Sequence, residues 1–552
     1  MAEKYVYEKT SARETGFAIM SCSDTETGIV VRTPLASDKR SYPSSIAYVG
    51  AKFSRSRDGL RTLMGEVEQA YKQGKLTPEG RLASIVSGLK HQSPGGMAHV
   101  ALSFENIPIM TAATVFRTTT LHDGQESSTR FINFSEGNVL PELATLLPEG
   151  VDVGPNLNDQ YKQLEKMAMD NYLSWFPRVF EAYRAHFKIN IEEKKEMDAL
   201  AARTYDTVRG FLLSGFRTSM VYVTNATTMQ QWLANFLAER LPGEGQLARV
   251  TMALLSPETK IKGYVPEIKP LLNHVAANLR TKEEQVELEQ YLSNQQGYRE
   301  LLSKRKKFEG IKDNKVSILP VSVSAEDQIV AQQLLVLHPS LNLNDAIKFA
   351  SGLTDKQKAE IGRIMFSRRN RFYLPAMASS GGTISSHYEI DLGIERDVGR
   401  HRAHERVSPI HETFTGLGEI EYTGFTQAAY LRQIPEMKEI QKGMEADSLK
   451  YYEKRSEFLE KLSQQVGVEA AEKVGIYLLP LMHQVDMVMH ADVRNMIHLG
   501  DIRIREGAHI DARLVTASAN RQLAARDPLY SSLAFPEDRV KVDNREQFIS
   551  RD

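Results

Sequence analysis

The chain has 552 residues, with 69 Lys and Arg against 70 Asp and Glu and a formal net charge of −1. Because it lacks the basic excess that attracts nucleic acid or an anionic membrane surface, we expect neither partner. Hydrophobic residues at 41% and charged residues at 25% are typical of a soluble protein with several domains. Cys22 is the only cysteine, which excludes an intrachain disulfide and a cysteine-rich metal site. With neither a signal-peptide pattern at the start nor an apolar run of about 18 residues, we expect a cytoplasmic protein.

Strand-like and helical patterns alternate through the first half of the chain. Thr, Ser and Asp residues with prolines at 34 and 43 predict strands and turns in the first forty-odd residues. Apolar residues spaced three and four apart predict two amphipathic helices over 44–90. The patterns that follow predict a strand over 99–107, helices over 110–117, 161–191 and 195–213, a strand over 220–224 and a helix over 226–239.

The same order of elements returns after a charged connector over 256–335, inside which we place the domain boundary. A helix, a strand and a later strand–helix segment are predicted over 346–368, 385–392 and 487–504. Arg400 follows Arg117 by 283 positions and Asp492 follows Asn225 by 267, and both spacings are close to half of the chain. The order of elements therefore predicts an internal duplication.

A polar loop in the first half concentrates groups that suit a nucleotide. It contains Gln125, Glu126, Ser128 and Arg130 within seven residues that begin at Gly124. Carboxylate, hydroxyl and guanidinium groups together can hold a phosphate and a sugar or base edge. The structural alternative is a polar loop that caps the next helix.

The corresponding loop of the second half is rich in Arg and His, with Arg400, His401, Arg402, His404, Glu405 and His411. Two guanidinium groups beside an imidazole suit an anionic cofactor. The three histidines and the glutamate also allow a metal site, although their spacing is not that of the zinc-protease helix. An exposed basic loop is the third interpretation.

A predicted helix over 492–503 carries a further polar group. Arg494 and His498 are four residues apart and lie on one face, and Arg503 comes near them only if the helix end loosens. A surface helix with spare charges is the alternative interpretation. The sequence has no complete dinucleotide fingerprint, phosphate-binding P-loop or nucleophile elbow.

Taken together, these segments resemble the flavin-dependent thymidylate synthase family, once in each half. The first half matches the family's first signature with His91-Gln-Ser93-Pro94, His99, Leu102-Ser-Phe104 and the loop from Gln125 to Arg130. Where the family has Arg-His-Arg, however, this half has Arg117-Thr-Thr. The second half keeps Arg-His-Arg at 400–402 and loses the nucleotide-binding part of the loop that follows.

The family's later signature is divided between the halves in the same way. The first half keeps Arg209 and Asn225, but has Thr227 and Phe236 in place of the later arginines. The second half has Ile476 in place of the early arginine and keeps Arg494, His498 and Arg503. It also departs from the family at two acidic positions, with Asp492 for Asn and Asp397 for the usual Gln before Arg-His-Arg.

Because members of the family build each site at subunit contacts, these complementary losses imply composite sites, in a homodimer that replaces the family's homotetramer. The resemblance assigns nucleotide binding to Gln125, Glu126, Ser128, Arg130, Arg209, Arg400 and Arg503. It assigns flavin binding to His91, Ser93, Asn225, Arg400, His401, Arg402, Arg494 and His498. Arg130, Arg209 and Arg503 are the implied catalytic electrophiles, with contacts to base and phosphate unassigned among them.

The implied fold is α/β (α+β), with two tandem copies that each have a small mixed sheet and long helices. We assign the first copy to 1–255, a helical connector to 256–335, the second copy to 336–530 and a C-terminal tail to 531–552. The resemblance covers roughly 44–245 and 340–520 of this sequence.

The implied reaction is the reductive methylation of dUMP to dTMP, with methylenetetrahydrofolate as the carbon donor, FAD as the cofactor, NADPH as the reductant and no metal. Two other functions stay open. One is a non-catalytic or substrate-shifted nucleotide- or flavin-binding descendant of the family, marked by bound flavin without turnover. The other is a metal-dependent hydrolase that uses the histidines at 401, 404 and 411, marked by metal-dependent activity without yellow colour.

Overall fold

The computed structural model is an α/β protein in which two antiparallel sheets are combined with long helices. It describes residues 96–117, 122–130, 139–148, 150–255, 310–318, 349–366, 383–399, 405–412, 424–533 and 544–550, together with 5–6, 17–22, 29–34, 60–73 and isolated positions. In this part of the chain, no helix is both long and apolar enough to span a bilayer.

The first sheet is formed by the first half, with strands in the order β1–β2–β3–β4–β6–β5. The strands are β1 (Tyr5–Val6), β2 (Phe17–Cys22), β3 (Val30–Pro34), β4 (His99–Pro108), β5 (His122–Glu126) and β6 (Arg217–Asn225). Val100, Leu102 and Phe104 are buried on one face of β4 because alternate side chains of a strand point the same way. The edge strand β5 ends at Glu126, whose side chain is buried.

Helices cover this sheet and extend beyond it. They are α1 (Leu60–Lys72), α2 (Ile109–Arg117), α3 (Gly154–Phe187), α4 (Lys194–Val208), α5 (Ala226–Leu237) and α6 (Glu244–Leu255), with 3-10 turns at Leu143–Leu146 and Arg209–Phe211. The predicted order of strands and helices is confirmed here. The second helix predicted over 44–90 lies outside the described residues.

The second sheet repeats four strands of the first and has the order β7–β8–β10–β9. These are β7 (Lys315–Ile318), β8 (Thr383–Asp391), β9 (Glu405–Val407) and β10 (Gln484–Asp492). Its helices are α7 (Asp355–Phe366), α8 (Leu392–Gly399), α9 (Pro409–Glu412), α10 (Ala429–Gln433), α11 (Lys438–Val466), α12 (Val468–Tyr477), α13 (Val493–Arg503), α14 (Ile510–Arg526) and α15 (Arg545–Ile549), with 3-10 turns at Pro435–Met437 and Pro528–Leu533. The order β7–β8–β10–β9 corresponds to β3–β4–β6–β5, so the sheet topology is duplicated.

Reciprocal backbone bonds relate the halves by an approximate two-fold axis. The Ser214 amide donates to the Leu479 carbonyl, and the Leu481 amide donates to the Leu212 carbonyl, each at 2.8 Å. Leu212 and Leu479 are 267 positions apart, and so are Ser214 and Leu481. Each residue of one bond therefore has its equivalent in the other bond. Leu213 and Pro480, also 267 apart, form an antiparallel bridge between these bonds. Each half therefore presents the same backbone segment to the other, as in a two-fold interface.

One hydrophobic core is shared by both halves. It contains residues of the long helices α3 and α11 and of the segments on the axis, among them Tyr161, Trp175, Leu213, Tyr451 and Leu479. Each sheet also has a core of its own. Since apolar burial is the main favourable term in folding, the shared core makes the two halves one folded unit.

Two details differ from the expected architecture. All described strand pairs within the two sheets are antiparallel, where we expected mixed sheets. The connector over 256–335 was expected to be helical, yet its described part includes β7, which pairs with β8. The sequence of β7, Lys-Val-Ser-Ile, alternates polar and apolar residues as a half-buried strand does.

Candidate functional site

The candidate site lies where the loop after β5 meets helix α8 of the second half. Glu126 at the end of β5 forms an ion pair with Arg396 of α8, and both side chains are buried. Arg209, in the turn after α4, donates from Nη2 to Oδ2 of Asp397 at 2.9 Å. Its Nη1 donates to the Thr129 hydroxyl at 3.3 Å. Residues of the two halves thus meet within one polar cluster.

Arg130 faces a carboxylate of its own half. Its Nε and Nη2 donate to the two carboxylate oxygens of Asp206 at 2.6 and 2.9 Å. Nη2 also donates to the Gly507 carbonyl of the second half at 3.1 Å. Burial raises the pKa of the Asp206 carboxyl, but the charges of Arg130, His509 and Arg209 outweigh burial and hold it below its ordinary value. The forked geometry is the strong form of an arginine–carboxylate pair.

Arg209 is also held as a cation by buried carboxylates. Burial lowers the pKa of its guanidinium, while Asp397 and Asp206 raise it, and the net direction is upward. Arg209 and Asp397 side chains are only 5% and 7% exposed. Both arginines that the resemblance assigns to the nucleotide in this half are therefore already paired with carboxylates.

A second buried cluster joins the halves beside the first. Arg117 of α2 forms an ion pair with Glu395 of α8, and His411 of α9 lies 3.3 Å from Glu395 and 3.1 Å from Thr114. Burial raises the pKa of Glu395, but Arg117 and His411 lower it to about 2. Burial lowers the pKa of His411 to about 4, although Glu395 acts in the opposite direction. His411 is therefore neutral at neutral pH.

Asn225 and Asp492, which differ in charge, occupy equivalent positions as helix caps. The Asn225 side chain accepts a bond from the Thr228 amide at 2.9 Å at the start of α5. The Asp492 side chain accepts one from the Asn495 amide at 2.7 Å at the start of α13. Asn and Asp are both preferred N-cap residues, so this departure from the family keeps the local fold.

The remaining predicted residues fall into three groups. Gln125 is exposed on β5, where it pairs with Val221, and the Ser128 hydroxyl accepts a bond from the Arg130 amide at 3.3 Å. On α13, Arg494 is exposed and His498 and Arg503 are half-buried. Outside the described residues lie His91, Ser93, Arg400, His401, Arg402 and His404. The structure thus brings Glu126, Arg130 and Arg209 together with the second half and leaves the Arg-His-Arg segment undescribed.

Two observations bear on cofactors and metals. Arg494 and His498 lie one turn apart on α13, and their donors suit the phosphates of an anionic cofactor such as FAD. No group of three or more His, Cys, Asp or Glu side chains that could hold a metal ion is found in the described ranges. Of the histidines that the metal hypothesis requires, only His411 is described, and its ring faces Glu395 and Thr114.

A cavity of about 30 Å³ lies next to Arg209 at the contact of the halves. Its lining includes Asp206, Arg209, Asp391, His509 and Asp511. Burial, and then the charge of Asp511, raise the pKa of the Asp391 carboxyl. This volume holds only a few water molecules, so a nucleotide would require the ion pairs around it to rearrange.

The sequence analysis missed Asp206 and Arg396, and it treated Asp397 only as a departure from the family. A signal for Asp206 is present, since Arg203, Asp206 and Arg209 are spaced by three residues and so lie on one face of a helix and its end. The partners across the halves have no such local signal, because Glu126 and Arg396 are 270 positions apart.

Comparison with known proteins gives a family and two solved structures. The model of the family described as thymidylate synthase complementing protein matches residues 38–253. The chain is similar to the UMP/dUMP methylase PolB from Streptomyces cacaoi bound with 5-Br dUMP, at 14% identity and a TM-score of 0.31, over 41% of this chain and 96% of that chain. It is also similar to the same methylase bound with 5-Br UMP, at 13% identity and a TM-score of 0.30, over 41% and 96%. No curated protein matches.

Proposed function

The model of the thymidylate synthase complementing protein family matches residues 38–253, and from that match we propose that this protein methylates dUMP to dTMP. In the proposed reaction, methylenetetrahydrofolate gives the carbon and becomes tetrahydrofolate, and NADPH gives the hydride and becomes NADP⁺. FAD, when bound, supplies the hydride-transfer chemistry between NADPH and the new methyl group. The sites are composite, with side chains from both halves.

The contact between the β5 loop and α8 carries this proposal. Glu126 and Arg209, which the resemblance assigns to the nucleotide, lie against Arg396 and Asp397. Asp397 comes three residues before Arg400, the start of the Arg-His-Arg segment assigned to the flavin. The nucleotide side of the first half therefore contacts α8, the helix that ends just before the Arg-His-Arg segment in the sequence.

Arg130, Arg209 and Arg503 are the proposed electrophilic residues. Arginine stays charged and its fork matches a phosphate or a pair of carbonyl oxygens, so it can stabilise negative charge that develops on the uracil ring. Arg494 and His498 are proposed to hold the anionic part of FAD. When the nucleotide binds, its oxygens must take over donors of Arg130 and Arg209 that now point at Asp206 and Asp397.

The direct test is dTMP formation by the purified protein with dUMP, FAD, NADPH and methylenetetrahydrofolate, omitting each component in turn. We expect product only when all four are present. Product that forms without added reductant or flavin, after removal of any flavin carried by the protein, would contradict the flavin-dependent reaction. Arg363→Ala, on the exposed face of α7, is the matched control because Arg363 is exposed and pairs with Glu360 at the surface.

The ion pairs favour a second candidate, a nucleotide- or flavin-binding protein of the same descent without turnover. Arg130 and Arg209 each have a buried carboxylate partner, which opposes the binding of a dianionic phosphate. This candidate predicts a yellow protein that retains FAD but forms no dTMP. Restoring turnover with Asp397→Gln would identify Asp397 as the residue that changed the function.

We also propose the homodimer that the resemblance implies, since two fused halves would then stand in for four single copies. Light scattering of the purified protein should give twice the chain mass of 62.2 kDa. A monomer that still forms dTMP would show that one chain contains a complete site.

A further inference from the structure

The turn between α13 and α14, just after Arg503, is held by two arginines of the other half. Arg203 on α4 donates to the Glu506 carbonyl at 2.6 Å and to the Ala508 carbonyl at 2.9 Å. Arg130 donates to the Gly507 carbonyl between them. Three successive carbonyls of the second half thus accept bonds from the first half, and this turn directly follows the helix that carries Arg503.

The guanidinium of Arg203 also bonds the C-terminal segment 544–550, which we call the C-terminal clasp. Arg203 Nε donates to the Phe548 carbonyl at 3.3 Å and Nη2 donates to the Ser550 carbonyl at 3.2 Å. Nη1 lies 3.6 Å from the Asp206 carboxylate. A guanidinium has five N–H donors, and four carbonyls and one carboxylate surround this one. Four of the five N–H donors of Arg203 thus bond backbone carbonyls.

An aromatic anchor holds the clasp on the first half. The Phe548 ring is buried and stacks on Phe187 of α3 with ring centres 3.9 Å apart. Arg545 bonds both carboxylate oxygens of Glu196 at 2.8 Å, and Arg513 of α14 donates to the Gln547 side chain at 2.9 Å. The clasp therefore connects α3 and α4 of the first half to α14 of the second.

Across the approximate two-fold axis, the positions equivalent to Arg203 and Asp206 hold different residues. Adding 267 to Arg203 and Asp206 gives Ala470 and Lys473, which cannot repeat these bonds. Both of these residues instead line an open groove of about 1070 Å³. Among the described residues, this arginine–carbonyl arrangement lies on the side that keeps Arg130, Asp206 and Arg209.

From these contacts we propose that Arg203 is a positioning residue and that the C-terminal clasp completes the candidate site from a distance. Arg203 and the clasp fix the 506–508 turn, and through it the end of α13 that carries Arg503 and the backbone carbonyl that orients Arg130. Neither touches the nucleotide. The effect on nucleotide binding rests on the proposed function, whereas the effect on the turn does not.

The test compares Arg203→Lys, Phe548→Ala and a chain that ends at residue 543 with the unaltered protein. Lysine keeps the charge but cannot bond four separate carbonyls. We expect hydrogen exchange of the amides over 505–513 to become at least about tenfold faster in each variant, because local opening becomes easier. The KM for dUMP should rise about tenfold or more with a smaller change in kcat, because misplacement of a site by about 1 Å can cost up to about a hundredfold. Adding a peptide of residues 540–552 to the shortened chain should reverse both effects.

Unchanged exchange over 505–513 in Arg203→Lys would overturn the positioning role. Faster hydrogen exchange over 505–513 with an unchanged KM for dUMP would contradict an effect of the clasp on the candidate site. If the unaltered protein forms no dTMP, the proposed function fails, while the exchange and peptide experiments still decide the role of the clasp. Arg363→Ala is the control for both measurements. Circular dichroism identifies any variant that does not fold. If the shortened chain does not fold, Phe548→Ala and Arg203→Lys decide the result.

Discussion

Arg209 of the first half and Asp397 of the second form a buried ion pair with an N–O distance of 2.9 Å. The pair stands where the resemblance places nucleotide contacts, and where the family usually has a neutral Gln in place of Asp397. One interaction therefore joins the halves and also neutralises an arginine of the candidate site.

Replacing the Asp397 carboxylate should change the stability of the fold and the affinity for dUMP in opposite directions. Asp397→Asn removes the carboxylate that the buried Arg209 bonds directly, and we expect the free energy of unfolding to fall by about 3 kcal/mol. The same change removes a negative charge from the proposed nucleotide site, so the dianionic dUMP should bind about tenfold more tightly, or about 1.4 kcal/mol. Urea denaturation and calorimetric titration measure the two effects. Weaker dUMP binding by the variant would contradict the assignment, and Asp170→Asn, an exposed pair with Lys166, is the control.

Arg503 and Arg130 should respond differently to truncation. Arg503→Ala should abolish nucleotide binding with little loss of stability, because Arg503 is half-buried at a helix end. Arg130→Ala should abolish nucleotide binding and also destabilise the fold by about 3 kcal/mol, because Asp206 loses its forked partner. Equilibrium binding and denaturation distinguish these outcomes. Arg505→Ala, two positions along, is the matched control, and unchanged binding in either truncation would refute the composite site.

His411 should make the fold sensitive to mild acid. Its pKa in the folded protein is about 4, below the ordinary value of 6.5, so the unfolded chain takes up a proton first as the pH falls. This lowers stability progressively from pH 6.5 to 4, by on the order of 3 kcal/mol in total. Glu395, with a pKa of about 2, contributes its own loss only below its ordinary value of 4.5. Denaturation at pH 6.5 and 4.5 should show a clear difference that His411→Gln abolishes, and an equal slope in the variant would contradict this.

Gly443 lets the long helix of one half approach a tryptophan of the other. A Cβ at this position would overlap the ring of Trp175, whose Nε1 donates to Asp447 at 2.9 Å. Alanine favours a helix by about 1 kcal/mol over glycine, but the overlap costs about 1–3 kcal/mol. Gly443→Ala should therefore lower stability and shift the fluorescence of Trp175. In the control Gly65→Ala, at an exposed helical position with no atom within 4 Å, stability should rise instead.

Local patterns predicted much of the fold. The strand over 99–107, the helix over 226–239 and the strand–helix segment over 487–504 depend on apolar spacing within a few residues, and the structure has β4, α5, β10 and α13 there. The duplication was also predictable, because the 267-residue offset between Asn225 and Asp492 is the same as that between Leu213 and Pro480 on the two-fold axis. Strand direction was harder to predict, because it depends on pairing partners far away in the chain.

The candidate site was only partly predictable for the same reason. Glu126, Arg130 and Arg209 belong to motifs and could be recognised, but their carboxylate and guanidinium partners follow no local rule. Arg396 reaches Glu126 only because the two halves pack face to face across the axis. The role of Arg203 likewise depends on carbonyl groups more than 300 positions away.

The backbone bonds between Leu212–Ser214 and Leu479–Leu481 join two parts of one polypeptide. Dilution therefore does not separate these partners, in contrast to an assembly of independent chains, because the covalent link keeps their effective concentration high. The effect of a substitution on the interface differs as well. In an assembly of identical chains every substitution recurs at each equivalent position, whereas here Asp206 and Lys473 have taken opposite charges at matched positions. One gene can thus adapt each side of its own interface separately.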